Sequence, residues 1–131
     1  MKMTSNANKI INIMQDFLPE DWKKVCLCIE TDENSFEGDY FVFLQDNTML
    51  RSLELCKQIG LSEIKLNDMY KEVYLQLKPL RDSLKKKGTF NRYLLNFDRE
   101  KFDEHYDYST IEEGNYFFDF WLRWKSEYVH L

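Results

Sequence analysis

Glycine and proline are scarce in this chain, with four and two copies among 131 residues. Their scarcity excludes a flexible linker or a low-complexity, disordered protein. Long apolar runs are also missing, because residues 1–8 are polar and polar side chains interrupt residues 10–18. A signal peptide needs an unbroken apolar core of about seven residues, and a membrane span needs about twenty. The sequence therefore predicts a cytoplasmic protein that makes no use of a membrane.

An excess of positive charge is missing as well. The formal net charge is −5 at pH 7, and the sequence pI is about 5.1. This balance argues against nucleic acid as a direct ligand, because binding to phosphates requires a cationic surface. An acidic balance suits solubility, or attraction to a basic partner.

Motifs for catalysis and metal binding are absent from the sequence. There is no glycine-rich phosphate loop, serine nucleophile elbow or zinc-binding helix, and the only histidines are His105 and His130. The cysteines, Cys26, Cys28 and Cys56, are odd in number, and the first two would lie side by side on a strand. We interpret them as small core residues of a reduced protein. The sequence predicts no enzyme activity, no metal and no cofactor.

Hydrophobic periodicity predicts the helices and strands in the first half of the chain. Apolar residues at helical spacing indicate a short helix over residues 7–18. Alternation over residues 24–30 predicts a half-buried strand, and the aromatic run 40–44 is its expected hairpin partner. Residues 46–60 fit either a short helix that ends at Gly60 or a loop followed by a strand.

A long helix is expected in the middle of the chain. Ser62 caps it, and residues 66–84 carry an apolar stripe at intervals of three and four. Pro79 lies inside this stripe and should kink or break the helix. Lysines 85–87 suit a helix C-terminus, and Gly88 should end it.

The last third of the sequence predicts a second hairpin and a third helix. Residues 90–97 and 102–108 are its strands, and Thr110 begins a capping box for the final helix. The order helix, hairpin, long helix, hairpin, helix predicts an α+β fold. We expect one domain, residues 1–131, with a single antiparallel sheet of about four strands and helices packed against it.

The second hairpin has two unlike faces. Along residues 102–108, aromatic side chains dominate one face, and two carboxylates with an imidazole occupy the other. A solvent-facing, acidic, aromatic-edged sheet without a reaction centre indicates a surface for a basic partner. The candidate partner-binding residues are Glu100, Asp103, Glu104, His105, Tyr106, Asp107 and Tyr108 on this hairpin, with Asp32, Glu33 and Glu37 on the first. A small enzyme with a carboxylate site is the weaker interpretation.

Several segments, in the same order, resemble the YezG-like immunity proteins. Residues 18–25, Leu-Pro-Glu-Asp-Trp-Lys-Lys-Val, are similar to the segment that leads into the family's first strand. The aromatic residues 40–43 resemble its second strand, and residues 70–82 its long helix with a Leu-Arg-Asp end. Residues 97–108 look like its hairpin, and residues 121–125 are similar to its C-terminal aromatic and basic segment.

This resemblance implies an antitoxin function. Members of the family are small acidic proteins that bind and neutralise secreted polymorphic toxins, often nucleases, in the bacteria that make them. The implied partner is the C-terminal domain of a cognate toxin, with a basic nuclease as the expected type. The expected oligomeric state is a monomer or a weak homodimer. The alternative function is a non-catalytic adaptor or secretion chaperone.

Overall fold

A computed structural model describes residues 6–31, 35–84, 89–108 and 117–131, with no side chains given for 117–119. Within these residues the chain forms five strands and four α-helices. In chain order the elements are α1 (Asn6–Met14), β1 (Trp22–Thr31), β2 (Phe36–Leu44), β3 (Met49–Arg51), α2 (Ser52–Gln58), α3 (Glu63–Ser83), β4 (Arg92–Asp98), β5 (Phe102–Asp107) and α4 (Phe117–Tyr128). The predicted α+β class and the single antiparallel sheet are confirmed, with one strand more than expected.

The sheet has the strand order β3-β2-β1-β4-β5, and every pair is antiparallel. β1 is the central strand, where Val25 lies opposite Val42 of β2 on one side and Phe97 of β4 on the other. The strands at the two edges are the short β3 and the longer β5. The two hairpins therefore meet through β1 and β4.

The first face of the sheet packs against α1 and α3. Val25, Leu27 and Ile29 of β1 point to this face and are fully buried. At Gly38 of β2, an added Cβ would lie 2.5 Å from Cδ1 of Ile29 and 2.8 Å from Cδ1 of Tyr70 on α3. Glycine is the residue that leaves room for this close approach.

The second face of the sheet packs against α4. Cys26 and Cys28 point to this face and are fully buried beside Trp124. The prediction of a half-buried β1 is therefore wrong, because α4 covers the face that the sequence pattern leaves to solvent. The cysteines are free thiols, and burial raises the pKa of Cys26 to about 11.

Both alternatives for residues 46–60 are realised in part. Residues 49–51 form the edge strand β3, and α2 follows immediately. After α2, Gly60 adopts a φ of 79°, the left-handed conformation that commonly follows a helix C-terminus. β3 is the one strand beyond the four that the sequence predicts, and its three residues are too few for a periodic pattern.

α3 begins where the sequence predicts, since Oγ of Ser62 accepts a hydrogen bond from the backbone N–H of Lys65 at 3.2 Å. The helix then continues through Pro79 to its end at Ser83, so the predicted break does not occur. Pro79 and Leu75 are both exposed, and solvent can reach the carbonyl that loses its helical partner. The lysine run 85–87, Gly88 and the capping box at Thr110 lie outside the described residues.

Candidate functional site

The turn between β4 and β5 is built by Asp98. Its backbone N–H donates to the carbonyl of Lys101 at 2.9 Å, and its carboxylate accepts the N–H groups of Glu100 and Lys101, each at 2.8 Å. These two backbone hydrogen bonds lower the pKa of the Asp98 carboxyl. We call β4, β5 and this turn the acidic hairpin. The turn leaves the Glu100 side chain exposed at its tip.

Arg99 links the turn to the start of β1 through hydrogen bonds. Its Nε and Nη2 donate to the carbonyl of Trp22 at 3.0 and 2.8 Å, and Nη2 also donates to the carbonyl of Glu20 at 2.7 Å. The guanidinium carbon lies 4.2 Å from the centroid of the Trp22 ring, a cation–π contact. Arg99 therefore holds the segment around Trp22 against the turn of the acidic hairpin.

On the aromatic face of β5, the side chains have partners inside the protein. The hydroxyl of Tyr93 donates to Oε1 of Glu104 at 2.6 Å, and the ring of Tyr106 lies 5.0 Å from Phe90 and 5.2 Å from Tyr93. Burial and the nearby Glu104 raise the pKa of Tyr106 to about 12. Glu104 is thus half-buried and bound, whereas the sequence predicts a solvent-facing carboxylate.

On the acidic face of β5, the side chains differ in their exposure. Asp107 is paired with Arg123 of α4 at 3.6 Å, and 16% of its side chain is exposed. The ring of His105 lies 5.7 Å from that of Tyr128. Asp103 is exposed, and no described residue forms an ion pair or hydrogen bond with its carboxylate.

Asp107 belongs to a row of charges that crosses four strands. The strand register places Glu37, Glu30, Arg92 and Asp107 side by side on the face that α4 covers. Arg92 is 1% exposed, donates from Nε to Oε2 of Glu30 at 3.1 Å, and lies 4.0 Å over the ring of Phe120. This row helps to hold α4, so Asp107 has a structural role.

Glu37 of the first hairpin lies far from Glu100 and Asp103 of the acidic hairpin, although it shares the row of charges with Asp107. Thr31 at the end of β1 and the turn after β4 lie about one strand length apart, roughly 30 Å for ten strand residues. Glu37 of the first hairpin is exposed. Asp32 and Glu33 lie outside the described residues.

A buried carboxylate that the sequence reading did not single out joins three elements. Asp39 of β2 is 3% exposed. It accepts hydrogen bonds from Oγ of Ser52 and Nε1 of Trp121, both at 2.6 Å, and from Nε of Arg51 at 2.7 Å. The available signal was a lone acid next to the aromatic run 40–44. Asp39 fixes α4 and the start of α2 to the sheet.

A cleft of about 760 Å³ lies beside the acidic hairpin. It is lined by Lys23, Lys24, Asn96, Phe97, Asp98, Lys101, Phe102, Asp103, Glu127, Tyr128, His130 and Leu131. Three of these residues are lysines and three are acids, so neither charge dominates. Across the described ranges, no group of three or more His, Cys, Asp or Glu residues is placed to hold a metal ion. Over the same ranges, no helix is long and apolar enough to cross a membrane.

Comparison with known proteins and protein families identifies the family of this chain. No match is found among curated proteins. The profile of the family described as "Immunity protein YezG-like" matches residues 3–131, which is nearly the whole chain. The match includes the Trp22 segment and the acidic hairpin, the two parts that Arg99 joins. The chain therefore belongs to the YezG-like immunity protein family.

Proposed function

We propose that this protein is a cytoplasmic, non-catalytic antitoxin that binds and neutralises the C-terminal domain of a cognate secreted toxin. The observation that carries this proposal is the family match over residues 3–131. The cleft beside the acidic hairpin supports a binding role, because it is a concave surface with side chains of both charges that a partner can contact.

We further propose that the toxin is a basic nuclease. A nuclease needs positive charge to bind phosphates, and this chain has a net charge of −5. An acidic inhibitor is attracted over long range to such a surface, which raises the association rate, and it can cover the nucleic-acid groove. Neutralisation by coverage needs no reaction centre in the inhibitor.

The acidic hairpin is the proposed contact surface. Glu100 and Asp103 are exposed carboxylates without described partners, and Tyr108 is 57% exposed at the far end of β5. Charges of this kind act at the rim of an interface, and an exposed tyrosine can anchor it. Glu104 and Asp107 have internal partners and would mainly keep β5 in place.

The test is co-expression with the toxin encoded next to this chain's gene. We expect the chain to restore growth and to co-purify with the toxin domain, whereas a toxin from an unrelated system should still kill. A folded chain that neither restores growth nor binds the toxin domain would contradict the proposal. Binding without restored growth would favour the adaptor or secretion-chaperone function.

A further inference from the structure

The two edges of the sheet differ in what they offer to another strand. β3 has only three residues and passes directly into α2, so it is a poor template for pairing. β5 has six residues and pairs with β4 on one side. In the part of the chain that the structure describes, no strand lies on its other side. Among the described strands, β5 is therefore the open edge.

The register of the acidic hairpin identifies the backbone groups that point outward. The N–H of Asp98 donates to the carbonyl of Lys101 at one end of the hairpin, and the N–H of Asn91 donates to the carbonyl of Asp107 at the other. Residues whose backbone groups face the partner strand alternate along an antiparallel ladder with the register of β4 and β5. The N–H and C=O groups of Asp103, His105 and Asp107 therefore face β4. Those of Phe102, Glu104 and Tyr106 face away from the sheet, where they need a partner or water.

The charge of β5 discriminates between possible partners. Its sequence, Phe-Asp-Glu-His-Tyr-Asp, carries three carboxylates in six residues, of which Asp103 is exposed while Glu104 and Asp107 have partners inside the protein. Two copies paired edge to edge would bring carboxylates together, and like charges across paired strands are destabilising. A strand that carries lysine or arginine would instead place opposite charges next to Asp103. The same charges thus oppose self-pairing and favour a basic strand.

Exposed aromatic side chains mark both ends of this edge. Phe102 is 41% exposed at the start of β5, and Tyr108 is 57% exposed just after its end. A strand laid along β5 would cover both, which adds apolar burial to the backbone hydrogen bonds.

We infer that the toxin domain adds a basic β-strand to the outer edge of β5, so that the sheet continues into the toxin. This inference rests on the proposed antitoxin function and specifies how the partner is bound.

Amide hydrogen exchange, measured by NMR on the free protein and on its complex with the adjacent toxin domain, tests the inference. We expect the amides of Phe102, Glu104 and Tyr106 to exchange about a hundredfold more slowly in the complex, because each gains a hydrogen-bond partner. The amides of Asp103 and His105 already face β4, so their slowing should be much smaller. An alternating pattern of this kind distinguishes strand addition from contact through side chains.

A pair of variants provides an independent measurement. Phe102→Pro removes one outward N–H at the first residue of an edge strand, a position where proline is tolerated. Phe102→Ala removes the ring and keeps the N–H. We expect Phe102→Pro to bind the toxin domain about tenfold more weakly than Phe102→Ala, which corresponds to one hydrogen bond. Circular dichroism of both variants checks that they fold.

The outcomes separate this inference from the proposed function. If the complex forms and growth is restored, but the three outward amides exchange as in the free protein, strand addition is wrong and the antitoxin function stands. If no complex forms, both fail. If these amides are already protected in the free protein in proportion to its concentration, a second copy occupies the edge and the inference is overturned.

Discussion

Asp39 shows how a single buried charge can fix the position of a distant helix. Its carboxylate accepts hydrogen bonds from Arg51, Ser52 and Trp121, which belong to β3, α2 and α4. A carboxylate offers acceptors only, and every group that faces this one is a donor. The site is therefore matched to a side chain that only accepts hydrogen bonds.

Replacement of Asp39 by asparagine tests this match. The new NH2 group would face donors, and Arg51 would lose its countercharge. We expect the free energy of unfolding to fall by about 2–3 kcal/mol, because buried groups would lose their partners. Urea denaturation, followed by tryptophan fluorescence, measures the change.

Asp46→Asn is the matched control for this experiment. Asp46 is exposed, and its carboxylate accepts the N–H of Thr48 at 2.9 Å, a bond that an asparagine oxygen can keep. A change within about 0.5 kcal/mol is expected for the control. Equal unfolding midpoints for both variants would show that Asp39 does not anchor α4.

The same residue type has different roles at Asp103 and Asp107. Alternation correctly places both on one face of β5, because it depends only on the period of a strand. The partner of Asp107 is Arg123, which lies sixteen positions later on α4. Local sequence cannot reveal such a contact, so the exposure of each acid depends on tertiary packing.

At the scale of elements, α3 tolerates a residue that usually ends a helix. Pro79 lies four residues before the end at Ser83 and is exposed. The missing backbone hydrogen bond should still reduce stability.

Pro79→Ala should therefore stabilise the protein. Alanine restores the backbone donor and has the highest helix propensity, so we expect a gain of about 1 kcal/mol or more. Thermal unfolding measured by circular dichroism gives the change. Pro19→Ala, in the connection before β1, is the control and should lower stability slightly, because the unfolded chain gains freedom. A lower melting temperature for Pro79→Ala would contradict this account.

Elements with strong local signals are the ones that sequence predicts. The Ser62 cap and the hairpin over residues 97–108 depend on neighbouring residues, and both are confirmed. β3 has too few residues for a periodic signal. The burial of β1 on both faces depends on α4, about ninety residues later in the chain, and no pattern within β1 contains that information.

At the scale of the whole molecule, net charge and local charge make separable contributions to toxin binding. Reversal of Glu100 and Asp103 to lysine changes the net charge by +4, from −5 to −1. We expect association with the toxin domain to slow about tenfold at low salt and to become less dependent on salt. Stopped-flow kinetics at several salt concentrations measures both effects.

Glu63→Lys with Asp68→Lys is the control, because it changes the net charge equally on exposed positions of α3. Its association rate should fall less than that of the hairpin variant. Equal rates for the two variants would show that only the total charge matters. Asp107 is left unchanged in both, since its replacement would also break the pair with Arg123.

The strand order has a consequence for synthesis on the ribosome. β1 emerges with β2, but its other neighbour, β4, begins roughly sixty residues later. At about 5–20 residues per second, that side of β1 has no partner for roughly 3–12 seconds. During this interval the nascent chain exposes Val25, Leu27 and Ile29 along an unpaired strand, which is a favourable site for a chaperone and a risk for aggregation.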